Sequence, residues 1–305
     1  FKLIQAIAIK LGLPQESYLK YIDIVCIGTI ADIVPLIDEN RIIAKNGLEM
    51  FRNTQNIGMK ALIKKCGFTK IDSGVISFGL SPRINACGRI RDPQKALDLF
   101  LTEDEKEAEI LAAELDEANQ ERQNIERKIF EHAKEVIENS DMKNDPIIVL
   151  GDDNWHHGVI GIVASKLVDL YAKPCILVCF EGDEGKSSGR SLPHFDLFNA
   201  VSSAADLLER FGGHEMAVGL TIKRENFEEF RNRLIEYTSK VIRGEYISEV
   251  TVDAVVRSSD ISVDVVEELK KLEPFGEKNP MPIFLYKNMK IVAIRTLSNE
   301  KHIKL

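Results

Sequence analysis

The sequence predicts an α/β protein of several domains, and three features of its patterning support that prediction. Apolar, β-branched runs alternate with segments of helical periodicity near the start of the chain and again after residue 146. Between these regions, residues 102–139 contain neither glycine nor proline. After residue 244 the pattern changes to short β segments separated by turns. A chain of 305 residues is long enough for two or three such domains.

The composition is that of a globular protein, with 44% hydrophobic and 29% charged residues. No uncharged apolar stretch of about 18 residues occurs, and the start lacks the basic-then-apolar order of a signal peptide. The five cysteines form no CxxC pair and are odd in number, which favours reduced thiols over a disulfide framework. We therefore expect a cytoplasmic protein without a membrane segment.

The net charge of −8 is concentrated in one segment. Residues 103–138 contain thirteen acidic and five basic side chains, and the remaining residues carry equal numbers of each sign. A negative total argues against nucleic-acid binding, but this distribution permits a positive groove elsewhere in the chain.

The ends of the sequence lie within regular patterns. An apolar helical pattern begins at Phe1 and continues through Leu11, while residues 301–305 have the alternation of a strand. Natural proteins rarely begin or end inside such elements, and we therefore expect a piece of a longer protein.

The run YIDIVCIGTI, residues 21–30, predicts a buried parallel strand. Asp32 follows it, at the carboxyl end where open α/β sheets bind ligands. A carboxylate there suits Mg²⁺ or Mn²⁺, although Asp32 could equally cap the following turn. Asp23 is a second candidate, but its place inside the strand predicts a structural role.

Helical patterns follow at residues 41–52 and 58–66, and a stretch rich in Ser, Pro, Gly and Arg at residues 77–93 predicts a loop. This loop carries Arg83, Asn85 and Arg89 beside a glycine. Arginine offers a planar fork for phosphate oxygens, which indicates a phosphate contact. The alternative is a solvated surface turn.

Residues 102–139 predict one long helix, because apolar residues recur at steps of three, four or seven. At 1.5 Å per residue, such a helix is roughly 50 Å long. We interpret it as a spacer between two domains, and the alternative is a solvated coiled-coil arm.

A second α/β unit follows the helix. Strands are predicted at residues 147–150, 174–180 and 217–222, helices at 159–171, 195–211 and 225–242, and a turn region at 181–191. This alternation predicts a mostly parallel sheet flanked by helices. Strand patterns at residues 249–257, 281–286 and 290–296 then suit the opening of a small β-barrel such as an OB-fold.

Two histidines, His156 and His157, lie between a predicted strand and a helix start, where free N–H groups favour an anion. A zinc site is the alternative, but no other His or Cys has the spacing to complete it. Residues 185–187, GKS, imitate the end of a P-loop. That motif requires a glycine where Phe180 stands, which excludes a P-loop NTPase.

The segments GRS at residues 189–191 and GGH at 212–214 form the most informative pair. Glycines allow close approach of a ligand to the backbone. Arg190 and His214 would converge on one phosphate if both segments lie at the same sheet edge. The alternative is two ordinary turns.

Six blocks, in this order, resemble the RecJ branch of the DHH phosphoesterase superfamily: YIDIVCIGTIADIVPLIDENR, SPRINACGRI, WHHGVIGIVASKL, SSGRS, RFGGHEMAVGL and LEPFGEKNPMPIF. The resemblance covers essentially the whole chain. It implies the C-terminal part of a DHH domain at residues 1–101, a long connecting helix at 102–140, a DHH-associated substrate-binding domain at 141–244, and a partial OB-fold at 245–305.

The resemblance also implies an activity. Members of this branch degrade single-stranded DNA from the 5′ end to 5′-mononucleotides with two Mn²⁺ or Mg²⁺ ions, in DNA repair and recombination. A monomer that works with a helicase and a single-strand-binding protein is implied as well. Asp32 would be the catalytic carboxylate and the last ligand of the metal pair. The implied substrate- or phosphate-binding residues are Arg83, Asn85, Arg89, His156, Arg190, Ser191, Gly212, Gly213 and His214.

One departure from the family pattern is large, because the sequence contains no DxDxxG block and no Asp-His-His triplet. Most expected metal ligands are therefore missing, and we expect the chain to be inactive alone. A DHH phosphodiesterase of short oligonucleotides or cyclic dinucleotides is one rival, and the PFGEKNPMPIF block argues against it. A non-catalytic relative that binds single-stranded DNA is another, and the retained Asp32, Arg190 and His214 argue against it.

Overall fold

The structure is a computed structural model that describes residues 1–242, 250–297 and 302–304. The described residues form two compact units. The first contains residues 1–54, 69–78 and those described from 250 onward, and the second contains residues 55–68 and 79–242. No helix in the described part of the chain is both long enough and apolar enough to cross a membrane.

The helices up to the long central one are α1 (Lys2–Lys10), α2 (Glu16–Leu19), α3 (Ile22–Ala31), α4 (Asp38–Phe51), α5 (Ile57–Cys66), α6 (Ser81–Ile90), α7 (Gln94–Leu101) and α8 (Glu105–Glu138). A π-helix, Val75–Leu80, precedes α6. The second half of the chain adds β1 (Ile148–Asp152), α9 (His157–Tyr171), β2 (Cys175–Glu181), β3 (Glu184–Arg190), α10 (Leu197–Ser202), β4 (Leu208–His214), β5 (Ala217–Lys223) and α11 (Phe227–Val241). The last elements are β6 (Ala254–Val256), α12 (Val263–Leu269), β7 (Phe284–Tyr286), β8 (Arg295–Leu297) and β9 (His302–Lys304).

The strand predicted for residues 21–30 is wrong, because these residues form helix α3. The helix buries Ile22, Cys26, Ile27 and Ile30 and packs against α4. A continuous apolar run fits a buried helix as well as a buried strand, and only its neighbours decide between them. Asp32 consequently follows the end of a helix and not the end of a strand.

The C-terminal residues of the first unit attach to the start of α4. The amide of Leu36 donates to the carbonyl of Glu277 over 2.7 Å, and a guanidinium nitrogen of Arg41 donates to the carbonyl of Leu272 over 2.8 Å. Strand β6 pairs with β7 in parallel, and β8 pairs with β9 antiparallel. All four strands are shorter than predicted, and residues 249, 301 and 305 of the predicted strands lie outside the described residues.

The long helix predicted before the second α/β unit is present as α8, with 34 residues. Asp104 caps it, because its carboxylate accepts from the amides of Lys106 and Glu107 at 2.8 and 2.9 Å. The middle of α8 packs against α6, and its C-terminal half joins the core formed with α9 and one face of the sheet.

The loop predicted for residues 77–93 is wrong, because residues 81–90 form helix α6. Pro82 lies in its first turn, where proline is tolerated because the first amides of a helix have no intrahelical partner. A proline and a glycine therefore gave a false loop signal.

The sheet of the second unit has the order β1-β2-β3-β5-β4. Only β1 and β2 are parallel, so the prediction of a mostly parallel sheet is wrong. Two residues connect β2 to β3, and so short a connection joins only antiparallel strands. The predicted turn region at 181–191 is largely strand β3, and the helix predicted for 195–211 is the short α10 followed by a 3₁₀ turn and β4.

Candidate phosphate-binding site

Two arginines of the second unit lie beside the first turns of α9. Arg89, in the last turn of α6, donates from a guanidinium nitrogen to the carbonyl of Gly158 over 3.2 Å. Arg190, at the end of β3, donates to the hydroxyl of Ser188 over 2.9 Å and to the carbonyl of Gly189 over 2.7 Å. Among residues 1–242, 250–297 and 302–304, no carboxylate oxygen lies within 4.0 Å of either guanidinium.

Arg89 and Arg190 can lie this close to the first turns of α9 because the helix residues that face them are glycines. A Cβ on Gly158 would lie 2.3 Å from the carbonyl oxygen of Arg89. A Cβ on Gly161 would lie 2.8 Å from the Ser188 hydroxyl and 3.1 Å from a guanidinium nitrogen of Arg190. Residues three apart share a helix face, so one face of α9 brings α6 and β3 close together.

The arginine pair is electrostatically unbalanced. Burial lowers the pKa of the Arg190 guanidinium, and the nearby positive charge of Arg89 lowers that pKa further. Arginine nevertheless stays protonated at neutral pH, so both groups carry a positive charge. Because like charges at short range repel most strongly where water is partly excluded, a bound anion would stabilise this arrangement.

Arg190 and His214 lie at the same end of the sheet, as contact with one phosphate would require. Both are paired in register with Ala217, so they point to the same face with one strand between them. Two strand spacings place their Cα atoms about 10 Å apart. The Nδ1 atom of exposed His214 accepts from the amide of Met216 over 3.3 Å, which directs a donating Nε2–H away from the backbone.

The two glycines before His214 differ in their constraints. Gly213 has φ +141°, and a Cβ there would lie 2.2 Å from the carbonyl oxygen of Ala217. Gly212 is exposed, and a Cβ there would meet no atom within 4 Å. Gly213 therefore has a backbone conformation and a close contact within β4 that favour glycine, and Gly212 leaves open space above the strand.

His156 caps α9. Its Nδ1 accepts from the amide of Gly158 over 3.1 Å, and its carbonyl accepts from the amides of Val159 and Ile160. The sequence predicts free amides at this helix start, and that prediction is wrong because His156 accepts from the amides of Gly158 and Val159, while the amide of Ile160 makes the first regular helical bond. Its ring stacks on the ring of His157, with centroids 5.2 Å apart.

Of three other residues predicted to contact substrate, two lie inside the unit and one lies on its surface. Arg83 is engaged inside the unit: its Nε donates to Asp116 over 2.7 Å and its NH1 to the carbonyl of Gly79 over 2.6 Å. Ser191 is buried and donates to the carbonyl of Phe195. Asn85 is exposed and lies four residues before Arg89, so the two share a face of α6.

Asp32, in the first unit, is exposed at the C-terminus of α3. The partial negative charge of a helix C-terminus disfavours a carboxylate unless a cation is nearby. Ile33 has φ +55°, a left-handed conformation that is strained for a β-branched residue, and it lines a cavity of about 760 Å³ with Ala31. Asp23 instead is buried and accepts from the Thr54 hydroxyl over 2.7 Å, as a structural residue would.

The donors that are present do not make a complete metal site. Among the residues described, no group of three or more His, Cys, Asp or Glu side chains is placed to hold a metal ion. Asp32 would thus be a single ligand, and a Mn²⁺ or Mg²⁺ ion requires several oxygen ligands.

Ser188, Gly158 and Gly161 belong to the site but are not among the residues chosen from the sequence. The segment HGVIG contains the only signal that could identify the two glycines, because a spacing of three on a helix places both on one face. Ser188 carries no such signal, since its role depends on the strand direction of β3.

Comparison with known proteins identifies the two C-terminal regions. Residues 144–240 match the DHHA1 domain, and residues 252–305 match the RecJ OB domain. The single-stranded-DNA-specific exonuclease RecJ of Bacillus subtilis is 41% identical over 100% of this chain and 39% of its own length. The protein of the same name from Thermus thermophilus is 35% identical over 93% of this chain and 41% of its length.

A solved structure agrees with the sequence comparison. The crystal structure of RecJ in complex with Mn²⁺ from Thermus thermophilus has a TM-score of 0.86 at 34% identity, over 98% of this chain and 44% of that chain. The chain spans about two-fifths of the length of these relatives. The chain thus contains a DHHA1 domain followed by a RecJ OB domain and is homologous to RecJ exonucleases along its whole length.

Proposed function

We propose that this chain is part of a metal-dependent exonuclease that degrades single-stranded DNA from the 5′ end to 5′-mononucleotides, in DNA repair and recombination. The observation that carries the proposal is the pair Arg89 and Arg190, two neighbouring guanidinium groups that share no carboxylate among the described residues. A phosphate group is the anion that a nuclease must hold, and arginine binds it through charge-assisted hydrogen bonds.

In this proposal the two arginines bind one backbone phosphate from opposite sides. The exposed Nε2–H of His214 and the side-chain amide of Asn85 add hydrogen bonds, and the open space at Gly212 lets the DNA strand approach the backbone. Fixing a phosphate in this way orients the nucleotide before cleavage. His156 contributes by holding the start of α9, and Arg83 and Ser191 contribute from inside the unit.

The metal chemistry is assigned to two Mn²⁺ or Mg²⁺ ions, which would activate water and stabilise charge on the phosphate oxygens. Asp32 is the carboxylate that we assign to this site. No group of three or more His, Cys, Asp or Glu side chains among the described residues is placed to complete the site.

The C-terminal region supports a nucleic-acid substrate. A RecJ OB domain matches residues 252–305, and OB-folds hold single strands by backbone charge and base stacking. This region favours long single strands over short oligonucleotides or cyclic dinucleotides. Four further statements stay predictions: the four-segment division of the chain, a cytoplasmic location, a monomeric state, and cooperation with a helicase and a single-strand-binding protein.

The test is a nuclease assay on 5′-labelled single-stranded DNA with Mn²⁺. It compares this chain with a longer protein that contains the chain and has the full length of its relatives. Release of mononucleotides by the longer protein alone would support the proposal and a metal site divided between the two parts. Single-strand binding by both without cleavage by either would instead support a non-catalytic DNA-binding relative.

A further inference from the structure

The middle of helix α8 contains a mostly buried carboxylate that does not belong to the arginine site. The side chain of Asp116 is 11% exposed and that of Arg83 is 20% exposed, and the two are joined over 2.7 Å. The second oxygen of Asp116 accepts from the amide of Gln120 over 2.9 Å. Because water is largely excluded, this ion pair is stronger than one at the surface.

Arg83 uses its fork to fix the start of helix α6. While its Nε donates to Asp116, its NH1 donates to the carbonyl of Gly79, just before the helix. The contact therefore sets the rotation of α6 about its own axis as well as its distance from α8. A lysine would not reproduce this geometry, since its donors are all on one nitrogen and Arg83 donates from two.

The rotation of α6 determines where Arg89 points. At 100° per residue, Arg83 and Arg89 lie about 120° apart around the helix and about 9 Å apart along it. The face of α6 that carries Arg83 thus contacts α8, and the adjacent face places Arg89 beside α9. The fit at the far end is tight, because the carbonyl of Arg89 occupies the space that a side chain on Gly158 would need.

We propose that Asp116 is a positioning residue, which acts through Arg83 and helix α6 to hold Arg89 beside Arg190. This inference rests on the proposed function, since it concerns the phosphate that the two arginines bind. It assigns the roles of the two α6 arginines differently: Arg89 meets the phosphate, and Arg83 orients the helix that carries it.

The same two helices provide a matched control. Arg91, at the end of α6, donates to Glu117 over 3.1 Å and to Glu121 over 2.8 Å. These carboxylates are 70% and 48% exposed, and exposed ion pairs contribute little to stability. Glu117→Gln thus removes the same charge from the same helix without disturbing a buried contact.

The experiment measures the affinity of the 305-residue chain for a 5′-phosphorylated thymidine oligonucleotide. Fluorescence anisotropy is recorded in EDTA, so that no cleavage occurs. The variants are Asp116→Asn, Glu117→Gln, Arg89→Ala, Arg190→Ala and the double variant Asp116→Asn with Arg89→Ala. We expect Asp116→Asn to weaken binding about tenfold, as partial loss of a charge-assisted contact would, and Glu117→Gln to change it less than about twofold.

The double variant separates positioning from general damage. If Asp116 acts through Arg89, Asp116→Asn should have no further effect once Arg89 is alanine. An equal loss in both backgrounds, or an unchanged affinity in Asp116→Asn, would overturn the inference while leaving the proposed function intact. If Arg190→Ala alone leaves the affinity for the oligonucleotide unchanged, both the inference and the proposed function are overturned.

Thermal unfolding of each variant shows whether it is folded at the assay temperature. If Asp116→Asn is not, Arg83→Lys replaces it in the same cycle, because it keeps the buried charge and loses only the fork. The expected outcome is again a loss of affinity that depends on Arg89, and a loss that does not depend on Arg89 would overturn the inference.

Discussion

Arg190 and His214 are each paired in register with Ala217, from the strands on either side of it. The sequence separates the two residues by a short helix and a strand, yet the antiparallel order of β3, β5 and β4 brings them to one end of the sheet. A ligand held by both would lie across the start of β5. This arrangement makes the contribution of each side chain separately measurable.

Arg190→Ala should weaken binding of single-stranded DNA by about 10- to 100-fold, because a hydrogen bond to a charged group contributes about 1.5–3 kcal/mol. In an active longer protein the same change should raise KM. Anisotropy titrations and steady-state kinetics measure the two effects. The control is Arg233→Ala, which removes the positive charge of a partly exposed arginine that is paired with Asp206 and Glu229 outside the site. An equal effect of both variants would show that only net charge matters.

Gly213→Ala should destabilise the second unit by about 1–3 kcal/mol, because φ +141° and the carbonyl of Ala217 at 2.2 Å both oppose a Cβ. Gly212→Ala should leave the free energy of unfolding nearly unchanged, since no atom lies within 4 Å of the new Cβ. Urea denaturation followed by circular dichroism compares the two. If the DNA approaches the backbone here, Gly212→Ala should weaken DNA binding without loss of stability, and unaltered binding would contradict that approach.

Asp32→Ala should abolish cleavage by the longer protein while sparing its DNA binding, because we assign Asp32 to the metals and not to the phosphate. The free energy of unfolding should not fall, since the residue is exposed at a helix C-terminus. Asp23→Ala should instead lower it by about 1–3 kcal/mol, because the buried Thr54 hydroxyl loses its acceptor at 2.7 Å. Nuclease assays and denaturation curves test both, and near-normal turnover of Asp32→Ala in excess Mn²⁺ would refute the metal assignment.

The phenol of Tyr171 should lose its proton at an unusually high pH. Burial, with a smaller contribution from the hydrogen bond to Glu138, raises its pKa to about 12. Since the unfolded phenol has a pKa of about 10, the folded state is favoured below that pH and loses this advantage as the pH rises toward 12. Glu138→Gln should move the titration to lower pH, as followed by absorbance at 295 nm, with Tyr171→Phe to identify the transition. Identical curves for the unaltered chain and Glu138→Gln would contradict the assignment.

Elements with strong local signals could be predicted from the sequence, and elements defined by their neighbours could not. The long helix α8 needed only its apolar stripe and the absence of glycine and proline. Residues 22–31 carry no periodicity, because helix α3 has apolar residues almost all round. Strand β3 could not be recognised from the sequence, because its glycines indicate a turn. These glycines allow close packing in the sheet, since a Cβ on Gly185 would lie 2.6 Å from the side chain of Val178.

The same distinction applies to the site. Residue type alone indicated Arg89, Arg190 and His214 as phosphate ligands, and their common location depends on strand order that no local pattern contains. Arg83 has the same residue type and almost the same sequence context as Arg89. Only the buried carboxylate of Asp116, 33 residues away, shows that its guanidinium is already occupied.

The bond from Leu36 to Glu277 has a consequence for synthesis on the ribosome. The partners are 241 positions apart, and a ribosome that adds about 5–20 residues per second needs roughly 12–48 s to cover that distance. The second unit uses no residue before 55 and can fold during this interval. Until then Leu36, which is 2% exposed in the folded unit, keeps its apolar side chain in water, which makes this part of the nascent chain a substrate for chaperones that bind exposed hydrophobic segments.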